Sequence, residues 1–539
     1  MRSTQSIARA FAAALLLCAS AGPALADDGT TPPGGITPAG SMTLTRLLTL
    51  HRVAVGKLDA GVAKTVTETD AYREGNLTGT IAIYESGDDD RTDVTVGTFH
   101  SAYGTLGGKA WEQNRNGLTR TMTGVHDRGE INARALRHAA EGFASHVALL
   151  GRVKDPVSAY VVRIDPPGGR VEYRFYDTST YLLVRDEEAS EGKRITYTYD
   201  DFRTTKGIRL PWHTHRTNGV ADNDMDWKIT ALSYGDKIDP ANVAIPSSAS
   251  TLSFSGDKTA IPAKLSGDRI ILTIQLGGHK VNMQMDSGAS GILLNRAVAD
   301  ATGVKSFGSR TAETAGKYLS SDALIPKIGF GDATMLNVSA ETAPYVASTY
   351  DGAPVAGLMG YDFIAGAVMH IDYLGGTVEA IAPAAFKAPA GAIALPIRLD
   401  DGVPIVEAKI GSATGHHFIV DTGADRSMIF SGFAKAHPAD VADQGLGDSM
   451  TAAYPYIDQI YGVGGKVEVR PVQVSSLTVG SITLPKWLFD VSQDAPSFEG
   501  DDYDGLIGQD VLRNFDVYFD YAHTTMYLVP NDRYKQRWG

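Results

Sequence analysis

Polar and apolar residues alternate with period two along most of this chain, and a few stretches switch to the three-and-four spacing of a helix. Leu44, Leu47, Leu48, His51 and Val55 fall on one helical face, which predicts a first helix. Leu136, Ala140, Phe143, Val147 and Leu150 step by four and three, which predicts a second helix running through Leu150. Strand-like alternation covers 79–84, 93–97, 158–164, 171–176, 181–185, 194–199, 208–217 and 227–232. Turn-forming runs such as Pro166-Pro167-Gly168-Gly169 separate these stretches. Many strands with few helices point to an α+β domain built on an antiparallel sheet, over residues 42–246. Residues 27–41, rich in Gly, Pro and Thr, read as a flexible leader, and the Ser-rich 247–259 as a linker.

Beyond residue 260 the strand pattern repeats itself. Residues 270–276 and 280–285 form a hairpin through Gly277-Gly278 that ends at Asp286-Ser287-Gly288-Ala289. Residues 403–410 and 416–420 do the same through 411–415, and end at Asp421-Thr422-Gly423-Ala424. Each copy then carries an apolar-apolar-Gly-x-Asp run, Leu358-Met359-Gly360-Tyr361-Asp362 and Leu506-Ile507-Gly508-Gln509-Asp510. A further strand follows each, 368–373 and 515–521. The two Asp residues lie 135 positions apart and the two Gly residues 148 apart. Two motifs in the same order at nearly the same offset imply an internal duplication, with a first lobe at 260–388 and a second at 389–539.

The duplicated element carries chemistry. An apolar strand that delivers a carboxyl desolvates it, and two such carboxyls close together cannot both ionise cheaply. Gly288 and Gly423 let the backbone turn tightly, and the Ser287 and Thr422 hydroxyls can tie one loop to the other. Each half resembles a retropepsin-type aspartic protease lobe, the second more closely through Asp421-Thr422-Gly423-Ala424-Asp425 and Met428-Ile429. The resemblance covers roughly Ile261 to Pro530. It implies a mainly β, bilobal fold of barrel-like lobes pairing within one chain, with Asp286 and Asp421 as the catalytic pair. It also implies a polypeptide substrate, and neither metal nor cofactor. Ala289, Ala424 and Asp425 would contact substrate, although an exposed, solvated Asp425 is an equal reading. A flap is expected at 310–321 and another at 456–467, where Gly462, Val463 and Gly464 would reach the substrate. Asp362 and Asp510 are expected as N-caps of short helices.

The N-terminal region resembles the lipoprotein-carrier (LolA-like) half-barrel through Trp111-Glu112-Gln113-Asn114, Tyr181-Leu182-Leu183-Val184 and Asp201 to Pro211. The resemblance implies either a lipid or lipoprotein partner or a plain scaffold for the lobes, and both stand.

Composition narrows the setting. Residues 1–26 have the ordered parts of a secretory signal peptide: a basic start at Arg2, a short apolar core and Ala24-Leu25-Ala26. The chain is therefore expected to be exported, to a periplasm or the exterior. Its single Cys, Cys18, would leave with the leader, so no disulfide or thiol chemistry is expected. A net charge of −13 argues against a nucleic-acid partner. No later apolar run could span a bilayer. His213 and His215 share a strand face but lack the further ligands a zinc site needs. The rival to a peptidase is a non-catalytic peptide- or lipoprotein-binding protein of the cell envelope.

Overall fold

The computed structural model describes residues 29–56, 64–122, 125–190, 193–266, 269–313, 317–344, 349–350, 353–442, 459–462, 465–493 and 503–538. The expected signal peptide, and Val463 and Gly464, lie outside them. The chain is mainly β, with two alike lobes preceded by an antiparallel-sheet domain. Among the described residues no helix is long and apolar enough to cross a membrane.

The N-terminal domain is built on one sheet of thirteen strands. Six strands meander outward from Thr65–Glu74 to the edge strand Thr119–Thr121. The helix Val125–Ala140 then leads to the opposite edge, and seven strands return from Val147–Val153 to Met225–Tyr234. The first strand pairs antiparallel with the last, from Val66 opposite Tyr234 to Glu74 opposite Met225. The helix Leu44–Val55 contributes Leu47 and Leu48, and the second helix Ala139, to a core shared with Tyr72, Ile81, Val94 and Trp227.

The second helix is shorter than its apolar spacing predicts. Gly142 adopts φ 103°, the Gly142 N–H donates to the Ala139 carbonyl and the Phe143 N–H to the His138 carbonyl. That left-handed C-terminal motif ends the helix. Phe143 is 68% exposed, and Val147 and Leu150 belong to the strand Val147–Val153. Two stretches read as loose are also tied down. Thr37 forms a bridge to Arg152, and the Tyr173 hydroxyl donates to the Thr30 carbonyl at 2.6 Å. In the Ser-rich stretch, Leu252–Ser253 and Lys258–Ile261 are strands of the C-terminal sheets.

The two lobes repeat one sheet topology. In the first, five neighbouring strands run in the order Ala333–Ala343, Ile292–Asn295, Ala353–Met359, His279–Met285, Arg269–Leu276. In the second, the same places are taken by Leu488–Ser492, Met428–Ile429, Gly505–Ile507, Ala413–Val420 and Val403–Ile410. The Asp-bearing strand is parallel to its neighbour in both, so each carboxyl emerges at the same end of an equivalent pair. A six-stranded sheet joins the lobes, three strands from each half, with Val368–Asp372 antiparallel to Phe515–Asp520 at its centre. His370 stacks flat on Tyr518 across that seam, ring centres 4.1 Å apart. Buried residues of both lobes form one continuous core.

Candidate active site

The strands His279–Met285 and Ala413–Val420 end side by side, and the loops that follow lock together. The Ser287 N–H donates to the Thr422 hydroxyl at 2.9 Å, and the Thr422 N–H donates to the Ser287 hydroxyl at 2.9 Å. Each hydroxyl in turn donates across the interface, Ser287 to the Val420 carbonyl at 2.7 Å and Thr422 to the Met285 carbonyl at 3.2 Å. Ser287 and Thr422 are buried, so these four bonds have no competing water. The backbone below is paired as well, with the Asp286 N–H on the Met359 carbonyl and the Asp421 N–H on the Ile507 carbonyl.

This lock brings the two carboxyls within hydrogen-bonding reach of each other. The Gly288 N–H donates to the Asp286 carboxyl at 2.9 Å, and the Gly423 N–H to that of Asp421 at 2.7 Å. A side chain on either glycine would collide with the opposite carboxyl: a Cβ on Gly288 would stand 2.7 Å from Asp421, and one on Gly423 2.4 Å from Asp286. Glycine is therefore needed for close approach at both positions.

Burial raises both carboxyls above the ordinary range. For Asp286 the neighbouring Asp421 charge adds to burial and the rise is large. For Asp421 the N–H groups of Gly423 and Ala424 favour the ionised form and partly offset burial. Burial and mutual repulsion therefore disfavour ionisation of both carboxyls together, and the two titrate as a pair.

Two glutamines that the sequence motif does not mark brace the loops. Gln284 donates to the Gly423 carbonyl at 2.9 Å, across the interface, and Gln509 donates to the Thr422 carbonyl at 2.8 Å. Only their positions beside the repeated motifs could have flagged them.

The remaining candidate residues separate. Ala289 and Ala424 flank the carboxyls, but their carbonyls accept from the Tyr361 and Gln509 N–H groups, so those oxygens face the short helices behind the loops. Asp425 is exposed and lies 3.4 Å from the Arg269 side chain. Gly462 ends the strand Gln459–Gly462 of a hairpin with Gly465–Gln473, where a flap is expected. The expected first-lobe flap falls within the hairpin Ser306–Glu313 and Lys317–Phe330.

Asp362 and Asp510 are not N-caps. Gly360 and Gly508 cap the helices Tyr361–Ile364 and Gln509–Leu512, and each Asp sits one residue inside. A cap side chain is excluded because a Cβ on Gly360 would come within 2.2 Å of the Ala289 carbonyl, and one on Gly508 within 2.9 Å of the Ala424 carbonyl. The Asp side chains instead accept bonds from outside their helices. Asp510 accepts from the Ser427 N–H at 2.9 Å and the Ser427 hydroxyl at 2.7 Å. Asp362 accepts from Asn114 at 2.7 Å, 248 positions upstream in the N-terminal domain.

His213 and His215 both face Asp226, at 3.0 and 3.1 Å. Among the described residues no cluster of three or more His, Cys, Asp or Glu is arranged to hold a metal ion.

A family model described as aspartyl protease matches residues 272–363 and 406–511, the two segments that carry Asp286 and Asp421. Among curated proteins nothing matches the chain. Among solved structures, the chain is similar to an aspartic proteinase from Irpex lacteus at 14% identity and a TM-score of 0.32, over 52% of this chain and 100% of that one. It is also similar to a DUF1329 family protein from Desulfovibrio piger ATCC 29098 at 12% identity and a TM-score of 0.27, over 37% of this chain and 95% of that one. The family match and the duplicated sheet topology agree on two aspartic-protease-like lobes in the C-terminal half.

Proposed function

We propose that the chain is an aspartic endopeptidase in which Asp286 and Asp421 activate one water molecule for attack on a peptide bond. The observation that carries this reading is the shared, raised pair of carboxyls held by the reciprocal Ser287–Thr422 lock. One ionised carboxyl takes a proton from water as it attacks the carbonyl carbon, while the protonated partner donates to the carbonyl oxygen. The resulting tetrahedral diol collapses as the leaving nitrogen receives a proton, and the pair returns to its singly protonated state. The hairpins 306–330 and 459–473 act as flaps, with Gly462, Val463 and Gly464 at the second. Ala289, Ala424 and Asp425 line the cleft. We take the units as 42–246, 260–388 with the strands Leu252–Ser253 and Lys258–Ile261 joined to it, and 389–539, and propose export through a leader at 1–26.

The pH dependence follows from the sign of the shifts. Raised carboxyls keep their shared proton above the usual carboxyl range of about 4. Activity should therefore persist to higher pH than an unperturbed pair allows, and fall as the last proton leaves. The test compares the protein with Asp286→Asn and Asp421→Asn on a mixed peptide library from acidic to neutral pH. Each variant should lose about 10³-fold or more in rate, within the range of positioned acid–base groups. Folded protein that cleaves nothing at any pH, or variants that cleave as fast as the parent, would overturn the reading.

A further inference from the structure

The N-terminal domain reaches the back of the Asp286 loop through one edge hairpin, strands Lys109–Gln113 and Thr119–Thr121. The turn between them is shaped by Asn114, whose side-chain oxygen accepts from the Asn116 and Leu118 N–H groups. That leaves its amide N–H free to donate to the buried Asp362. Asn116 exchanges two bonds with the Ser339 backbone, at 2.7 and 3.0 Å. Leu118 joins the core of the lobes rather than that of its own domain.

The second contact runs to the other lobe. Arg120 pairs with Glu112 on its own hairpin, donates to Asp401 at 2.8 Å, and lies over the Tyr361 ring at 5.6 Å. Asp401 in turn lies beside the side chain of Ser290, four residues after Asp286 on the same loop. A side-chain relay therefore runs from the N-terminal domain to the loop that carries one carboxyl.

The lobes show why such help is needed in one and not the other. The second lobe supplies its own brace, Ser427 on Asp510. The first lobe has Ile292 at the place of Ser427, which offers no hydroxyl, and the brace on Asp362 comes from Asn114 instead. We propose that the 109–121 hairpin completes the first-lobe half of the site, with Asn114 and Arg120 as positioning residues for the Asp286 loop. This rests on the peptidase reading for its catalytic consequence, but its structural consequence stands apart from it.

The experiment uses the full chain with Arg120→Met, Arg120→Lys, Ser290→Ala and, as a control, Arg163→Met on the exposed Arg163–Asp165 pair. Arg120→Met should lower kcat by ~30- to 100-fold with KM within ~2-fold, because a small displacement of a reacting group costs about that much. Arg120→Lys should recover part of the loss by keeping a bond to Asp401. Ser290→Ala, which removes only the loop-side hydroxyl beside Asp401 and no buried charge, should fall by ~3- to 10-fold and serves if Arg120→Met does not fold. Hydrogen exchange should quicken across 286–291 and stay unchanged across 421–427. Parent-like kcat in Arg120→Met, an equal loss in Arg163→Met, or exchange that changes equally in both loops would overturn the proposal. If the parent cleaves no peptide, the peptidase reading fails alone, and the exchange measurement still decides the hairpin's role.

Discussion

The two lobes have the same five-strand order and the same locked loops, yet they are completed by different means. In the second lobe the residue before Met428 is Ser427, which serves the buried Asp510, whereas the matching place in the first lobe holds Ile292. In the first lobe the equivalent carboxyl, Asp362, depends on Asn114. The hairpins differ similarly. That of the first lobe is gripped by the N-terminal domain: Asn223 exchanges two bonds with the Thr311 backbone, Arg115 pairs with Asp322 at 2.9 Å, and Phe307 packs edge-on to Phe99. The strand Gly465–Gln473 of the second lobe instead packs Val467 and Val469 onto that lobe's own Met428, Phe430 and Leu506. A duplicated fold has thus given up self-sufficiency in one copy, where a neighbouring domain does the same work.

If the symmetric part of the site is truly symmetric, its largest perturbations should be nearly equal. Gly288→Ala and Gly423→Ala each push a methyl into the opposite carboxyl. Both should lower kcat/KM by about 10²-fold or more through displacement of the pair, with Gly423→Ala the worse because its clash is closer, 2.4 against 2.7 Å. Steady-state kinetics on one peptide checks this. A tolerated alanine at either position would show that the carboxyls are not held as close as the structure places them.

The next comparison concerns the two buried aspartates. Burial pushes both Asp362 and Asp510 up to about 6. Their folded-state pKa values lie above the unfolded value, so their protonated forms favour the fold. That stability is fully present below the unfolded pKa near 4 and is lost as pH rises through about 6. Each should cost about 3 kcal/mol across that window. Asp362→Asn and Asp510→Asn should each flatten the fall, as read by denaturant unfolding at pH 4 and 7. Asp510→Asn should leave the N-terminal domain's unfolding coupled to the lobes, whereas Asp362→Ala, which removes the acceptor for Asn114, should weaken that coupling. Equal loss of coupling in Asp510→Asn would break the distinction between an internal and a borrowed brace.

What the sequence made legible was local and repeated. Asp286, Asp421 and their Ser-Gly and Thr-Gly neighbours stand in short motifs whose spacing alone exposes the duplication, and the structure brings these residues together. The apolar spacing that predicts a helix through Leu150 outruns a stop signal, Gly142, whose left-handed backbone is visible only once the chain is folded. Gly-x-Asp suits a helix start and so points to Asp362 and Asp510 as caps, while the close approach of the Ala289 and Ala424 carbonyls reserves the cap for glycine. Asn114 and Arg120 could not be read at all. Their partners, Asp362 and Asp401, lie 248 and 281 positions away, and nothing in a single sequence marks contacts of that range.

The smallest expected effect tests the grip on the first-lobe hairpin. Asn223 is buried and its side chain both donates to and accepts from the Thr311 backbone, at 2.8 and 2.9 Å. Asn223→Ala removes both bonds, a local loss of about 1–2 kcal/mol. That corresponds to ~5- to 30-fold faster hydrogen exchange in the strand Ser306–Glu313 if the segment opens locally. Exchange in Gly465–Gln473, which makes no use of Asn223, should not change. Because the hairpin lies apart from the Ser287–Thr422 lock, kcat should hold within ~2-fold while KM shifts if the hairpin acts as the proposed flap. If both hairpins quickened together, the flaps would be coupled through the cleft. The N-terminal domain would then set the mobility of the whole site, not of one lobe.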